Sequence, residues 1–306
     1  MKKIVIVILH YNLLDDTIAC IETIKKRSSE VNIIIVDNFS PNGSGKTLDK
    51  KYIDDEKVQV ILSNENLGFA RGNNLGFSYA VKNMNPDFII LSNNDVLIEQ
   101  DDFFSKMINI FEQTQFAVCG PDILVPYSGV HQNPPSNMEN YTIDDLNNQI
   151  LRCEKELEFY RGISSSKFKR FFYDFYKSIR VSLKKYRGKF PVGDFKSGKV
   201  DIKIHGAFMI FSKKYFDVFS AGLYPNTFMY GEESILYYLC LKAKLKIIYS
   251  PQIQILHMEG KSTRQSMGNS NFLEKNIFYL SNRLDSLNSF KNLVVECGEI
   301  DFTKIK

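Results

Sequence analysis

The stretch FIILSNNDVLI, residues 88–98, runs through apolar side chains, breaks at Ser92-Asn93-Asn94-Asp95 and resumes with Val96, Leu97 and Ile98. A short apolar run of this kind reads as a buried strand, and a parallel sheet covered on both faces has few places for polar groups except at strand ends. In open α/β sheets those ends are where ligands bind. Asn93-Asn94-Asp95 is therefore either a turn made of residues that kink and cap well, or a set of oxygens offered to a metal or a ribose.

Working outward, the same kind of run recurs. KIVIVIL (3–9), NIIIVD (32–37), VQVILS (58–63), DFIILS (87–92) and FAVCG (116–120) are rich in β-branched residues, and amphipathic segments separate most of them. DTIACIETIKK, with Ile18, Ile21 and Ile24 on one face, has helical spacing. The alternation predicts an α/β fold with a mostly parallel central sheet, helices on both faces and right-handed crossovers. The carboxyl ends then carry His10-Tyr11-Asn12, Asp37-Asn38, Asn64-Glu65-Asn66 and Asn93-Asn94-Asp95. An aromatic ring at Tyr11 to cover a base, Asp37 for a base N–H or a ribose hydroxyl, and Asp95 for a metal would make a nucleotide site. The competing reading is that each cluster only caps its own strand.

NENLGFARGNNLGFSYAVKN (64–83) repeats glycine at 68, 72 and 76, poor helix design unless the backbone must approach something closely. A helix is predicted from near Ala70, and its amino end, with Arg71 in the first turn, suits a nucleotide or its phosphates. The pattern is neither the dinucleotide fingerprint nor the P-loop lysine motif, so dinucleotide binding and phosphoryl transfer lose support.

The composition is that of an ordinary globular protein: 306 residues, 44% hydrophobic, 24% charged, net charge +4. Five dispersed cysteines without paired spacing suit free thiols in a reducing compartment. The opening MKKIVIVILHYNLLDD has too short an apolar run for a membrane span and lacks a cleavage site, which predicts a strand and a cytoplasmic protein. Between 127 and 200 the rhythm stops. There SSSKFKRFFYDFYKSIRVSLKKYRGKF (164–190) interleaves Lys and Arg with Phe and Tyr around a single acid, Asp174. Such a segment suits a membrane surface, a nucleic acid or a solvated helix over the core, nucleic acid being the least fitting of the three. MYGEESILYYLCLKAK places Glu232 and Glu233 in the first turn of a helix whose apolar face is Ile235, Leu236, Leu239, Cys240 and Ala243. There they favour the helix dipole by ~0.5 kcal/mol, or one of them serves as a base.

ILHYN, IIVDNFSPNGS, NENLGFARGNNLGF, LSNNDV, IHGAFMIFSKKYF, GLYPNTFMYGEESIL and ILHMEGKST, in that order, resemble the family-2 glycosyltransferases of the GT-A fold, in particular the rhamnosyltransferase-like members that build bacterial capsule and O-antigen chains. The likeness covers residues 3–126 and 201–264. It implies a nucleoside diphosphate sugar, UDP- or dTDP-linked, lying across the strand ends. The residues matching Tyr11 and Asp37 would hold the nucleoside and those matching Arg71 and Asn74 would line the same pocket, with Asn12, Asn38, Asn66, Gly68, Asn93 and Asn94 completing the candidate donor set. The family's Asp-any-Asp motif, which binds Mg²⁺ or Mn²⁺ through the donor diphosphate, falls on Asn93-Asn94-Asp95, so only the last acid is kept. A neutral amide is the weaker ligand for a hard cation. His257, which closes the apolar run IQILH, matches a histidine that reaches the metal, and the loop from Gly260 to Thr263 matches one that closes on the diphosphate. Glu233 matches the usual base, with Glu232 beside it.

The resemblance further implies sugar transfer with inversion to a polyprenyl-linked or oligosaccharide acceptor, at the inner face of the plasma membrane. The domain reading is a nucleotide-sugar half at 1–126, a basic aromatic insertion at 127–200, an acceptor half at 201–268 and a helical tail at 269–306. Two alternatives stand beside it: a catalytically silent assembly partner, and a sugar nucleotidyltransferase, which would want a glycine-rich basic loop after the first strand where HYNLLDD stands.

Overall fold

The computed structural model describes residues 2–135, 140–165, 194–258 and 272–300. In chain order its elements are β1 (Ile4–His10), α1 (Leu14–Arg27), β2 (Asn32–Asp37), α2 (Ser44–Tyr52), β3 (Val58–Leu62), α3 (Gly68–Met84), β4 (Phe88–Asn93), β5 (Val96–Leu97), α4 (Phe103–Thr114), β6 (Val118–Val125), β7 (Val130–His131), α5 (Ile143–Ser164), β8 (Lys199–Val200), β9 (Phe208–Ser212), α6 (Lys213–Phe216), α7 (Glu232–Lys242), β10 (Ile247–His257) and α8 (Phe272–Cys297). They form two compact units, Met1–Met138 with Val192–Ser266, and Glu139–Pro191 with Met267–Lys306.

The first unit is built on one sheet of order β3-β2-β1-β4-β9-β6-β10-β5, with β7 on β6 and β8 on β10. β3, β2, β1 and β4 are parallel neighbours, and β6 pairs in parallel with β10. β9 runs antiparallel between β4 and β6, so both halves of the sheet point their carboxyl ends the same way. Side-chain alternation sends Ile4, Ile6 and Ile8 of β1 into a core shared with Cys20, Ile21 and Ile24 of α1 and Phe103, Met107 and Ile110 of α4. Each such burial contributes about 1.5–3 kcal/mol. Helix α3 covers the opposite face. A Cβ on Gly76 would lie 2.4 Å from Val7 Cγ1, and one on Gly72 would lie 2.7 Å from Leu9 Cδ1. The close approach signalled by the repeated glycines is thus, at these two positions, that of a helix lying on its sheet.

The second unit pairs α5 with α8. Leu273, Leu280, Leu287 and Val294 recur every seven residues on α8 and are buried, as are Leu146, Ile150, Cys153 and Leu157 on α5. Thr142 caps α5, its hydroxyl accepting from Asp145 N at 3.1 Å. The backbones of Tyr141 and Ile300 bond to each other in both directions. Among the described residues no helix is long and apolar enough to cross a membrane. The basic aromatic segment 164–190 lies almost wholly outside the described residues, as do Gly260 to Thr263.

Candidate functional site

Strand register gathers most of the sequence-derived candidates on one edge. His10 stands beside Asp37, and Leu9 beside Asn93, at the carboxyl ends of β1, β2 and β4. Beyond Asn93 the chain turns and β5 returns antiparallel along β10, setting Val96 against His257. The residue before Val96 is therefore delivered to the end of β10. His257 Nε2 lies 3.2 Å from Asp95 Oδ1, and Met258 N donates to Asp95 O at 2.9 Å. Both side chains are buried.

This pair fits a cation. His257 Nδ1 is 2.7 Å from Gln132 Oε1, an acceptor that fixes the ring so that Nε2 faces Asp95. Asp95 Oδ1 is buried and lacks a directed hydrogen bond despite that short approach. A carboxylate oxygen and an imidazole nitrogen 3.2 Å apart are joined by a positive charge, carried either by a proton on Nε2 or by a cation bound to both. Among the described residues no group of three or more His, Cys, Asp or Glu side chains is arranged to hold a metal ion. A divalent ion here would take Asp95 and His257 and draw its other ligands from substrate or water. Asn94 does not join them: it is buried and its amide donates to Thr17 Oγ1 at 3.0 Å, tying the end of β4 to α1. The Asn94 amide nitrogen is thus engaged within the protein. Asn93 is partly buried and donates its backbone N–H to Ala207 O at 2.9 Å.

At the β1 and β2 ends, Asp37 is buried and accepts from Ser40 Oγ at 2.5 Å and Ser40 N at 3.3 Å. A Cβ on Gly45 would collide with the Asp37 carboxylate, so the carboxylate sits against the bare start of α2. His10 is fully buried, with Nδ1 2.7 Å from Thr17 Oγ1 and Nε2 2.7 Å from Ser44 Oγ. Burial lowers it from 6.5 to about 4, against the pull of Asp37, so it is a neutral strut joining α1, α2 and β1. Asn12 donates its backbone N–H to Ser40 Oγ at 2.9 Å, and its buried Oδ1 has no hydrogen-bond partner. Tyr11 is half-buried beside it.

Four other candidates hold backbone. Asn38 accepts from Leu67 N at 2.8 Å and donates to Asn66 Oδ1 and Gly68 O. Asn66 Oδ1 also accepts from Gly68 N at 3.0 Å. Gly68 has φ +74, and a Cβ on it would lie 2.2 Å from Phe228 O. Asn74 spends its whole amide on Leu223, donating to its O at 2.7 Å and accepting from its N at 2.8 Å. Asn74 thereby latches α3 to the 223 loop. Asn38, Asn66 and Gly68 shape the turn into α3, which starts at Gly68 rather than Ala70. Arg71 is exposed, 3.5 Å from Glu65.

The two acids of α7 divide sharply. The helix starts after Gly231 at φ +108. Glu232 is 2% exposed with Oε1 lacking a hydrogen-bond partner, and burial, then the charge of Glu233, raises it from 4.5 to about 7. Glu233 is half-buried and lies against Gly206, where a Cβ would come within 2.5 Å of its Oε1. Next along the chain, the His205 ring is 5.9 Å from that of His257. Glu233 is thus two residue contacts from the Asp95–His257 pair. Gln132, His10 and Gly206 were not marked as site residues by the sequence. Gln132 carried no signal, and His10 and Gly206 adjoin motifs already noted.

The family model for Glycosyl transferase family 2 matches residues 5–218. The low-salt glycan biosynthesis hexosyltransferase Agl10 of Haloferax volcanii is 26% identical over 120 residues, 39% of this chain and 36% of that one. The teichoic acid poly(glycerol phosphate) polymerase of Staphylococcus epidermidis is 31% identical over 99 residues, 32% of this chain and 13% of that one. The chain thus spans 36% of the first relative's length and 13% of the second's. In fold it is similar to the mannosyltransferase PcManGT of Pyrobaculum calidifontis, solved with GDP-Man and Mn²⁺, at a TM-score of 0.52 and 9% identity over 97% of this chain and 76% of that one. With the family model matched over most of its length, the chain belongs to glycosyltransferase family 2 and has the GT-A fold.

Proposed function

We propose that the protein transfers a hexosyl or rhamnosyl unit from a UDP- or dTDP-sugar to a growing surface polysaccharide, on a polyprenyl-linked or oligosaccharide acceptor, with inversion. The observation that carries this reading is the Asp95–His257 pair, 3.2 Å apart, just beyond the carboxyl strand ends that carry Asp37 and Asn93. Asp37 and Asn12 hold the nucleoside. Asp95 and His257 hold a Mn²⁺ or Mg²⁺ ion, which when bound offsets charge on the departing diphosphate. Glu233 takes the proton from the acceptor hydroxyl as its oxygen bonds to the anomeric carbon, and the bond from that carbon to the diphosphate oxygen breaks on the opposite side. Positioned base catalysis of this kind is worth about 10²- to 10⁴-fold. Gly206, lacking a side chain, leaves Glu233 room against the 205–206 backbone.

Contact of 164–190 with an anionic membrane surface belongs to the same proposal and rests on the sequence alone. A catalytically silent binding partner is the second reading, favoured by the lack of a three-ligand metal cluster among the described residues. A thermal-shift panel of UDP, dTDP and GDP with and without Mn²⁺, followed by donor hydrolysis, tests both, since a ligand of the folded state raises its stability by mass action. Nucleotide binding with Mn²⁺-dependent hydrolysis supports the transferase. Binding without turnover supports the silent partner, and no binding at all refutes both.

A further inference from the structure

Phe39 combines two costly features. Its φ is +63, a left-handed backbone that a bulky L residue adopts at a cost of roughly 1 kcal/mol or more. Its ring is also 53% exposed, so little packing offsets that cost. The strain persists because both neighbours are pinned. Asn38 donates its N–H to His10 O at 2.9 Å and fixes the turn into α3 through its side chain, while Ser40 is bonded to the Asp37 carboxylate by N and Oγ and receives the Asn12 N–H. Phe39 therefore lies in the chain directly before Ser40, the residue that links the Asp37 carboxylate to the Asn12 backbone. Asn12 is itself at φ +65 with a buried, unpartnered Oδ1. A ring held out by strained backbone beside an unsatisfied acceptor and a carboxylate has the makings of a site for a flat, apolar-faced ligand with N–H or O–H donors on its rim.

We infer that Phe39 forms one wall of the nucleoside pocket, stacking on the face of the donor's base while Asn12 Oδ1 and Asp37 accept from the rim. The inference rests on the donor site proposed above. The test uses the full chain, with Phe39→Gly to relieve the strain and remove the ring, Phe39→Tyr to keep a ring, and Asp37→Ala as the site control. Binding of UDP, dTDP and GDP with Mn²⁺ is measured by calorimetry, with inorganic pyrophosphate and Mn²⁺ as a base-free probe, and each melting temperature is recorded. Phe39→Gly is expected to melt no lower than the parent, to lose about ten-fold or more in affinity for the preferred nucleotide, as loss of base–aromatic stacking does, and to bind pyrophosphate unchanged. Phe39→Tyr should retain the nucleotide affinity. Parent-like nucleotide affinity in Phe39→Gly, with loss in Asp37→Ala, overturns the role of Phe39 and leaves the donor site standing. An equal loss of pyrophosphate affinity in Phe39→Gly overturns stacking in favour of a loop effect. Absence of nucleotide binding by the parent overturns the donor site and the inference together.

Discussion

Glu232→Gln removes a titration while keeping the shape. The buried carboxyl is raised from 4.5 to about 7, which at ~1.36 kcal/mol per pH unit amounts to roughly 3 kcal/mol. Since the side chain is 2% exposed, little screening discounts it. The folded protein holds this proton more tightly than the unfolded chain, so the stabilising contribution is complete below pH 4.5 and is lost as the pH rises through about 7. Gln resembles the protonated acid and has nothing to lose. Urea unfolding at pH 5 and pH 8.5 should therefore show the variant gaining about 2–3 kcal/mol on the parent across that window. Parallel stability profiles for the two proteins would refute the burial argument, and with it the division of labour between Glu232 and Glu233.

Glu233→Gln should cut transfer by about 10²- to 10⁴-fold with donor affinity barely changed, whereas Glu232→Gln should cost far less; steady-state kinetics on the two variants distinguish base from neighbour, and the reverse pattern swaps their roles. Asp95→Asn should weaken nucleoside diphosphate binding chiefly when Mn²⁺ is present, read by calorimetry with and without the ion. Gln132→Ala frees Nδ1 of His257 and should lower Mn²⁺ affinity in the nucleotide complex by about 10- to 100-fold, as loss of an outer hydrogen bond to a metal-ligating histidine does; an unchanged Mn²⁺ titration would show that the Gln132 contact is idle. Gly76→Ala forces a methyl to within 2.4 Å of Val7 and should destabilise by about 1–3 kcal/mol, seen as a lower urea midpoint with nucleotide affinity intact.

The parallel half of the sheet was legible because each of its strands is a local signal. β1, β2, β3 and β4 fall within about a residue of the runs read from the sequence, and α1 buries Ile21 and Ile24 as their spacing predicts. What local pattern could not give was placement. FAVCG becomes the start of a longer strand, Val118–Val125, because β10 runs beside it through to Leu124. Nothing in FMIFS says that β9 will enter antiparallel between β4 and β6, since that choice depends on partners about ninety or more residues away. The pairing of α5 with α8 is equally non-local.

The site shows the same limit at the scale of single side chains. Sequence placed the polar clusters at strand ends, where the structure has them, but could not tell which amides bond to backbone. Asn38, Asn66, Asn74 and Asn94 are spent within the protein, on a turn, a latch and the start of α1. Asn12, on the neighbouring corner, keeps a buried oxygen without a partner. Burying an unpaired polar atom costs about 1–3 kcal/mol, so each satisfied amide adds to the rigidity of the crevice while each orphaned one marks where a ligand would repay the cost. Among the buried side-chain atoms without a hydrogen-bond partner are Asn12 Oδ1, Asp95 Oδ1 and Glu232 Oε1, all in or beside the proposed site, with Arg27 Nε and Tyr52 Oη away from it. Asp37 and Glu233 stand next to two of the first three. Asn12 Oδ1 and Asp95 Oδ1 are the acceptors that the nucleotide and Mn²⁺ titrations put to the test.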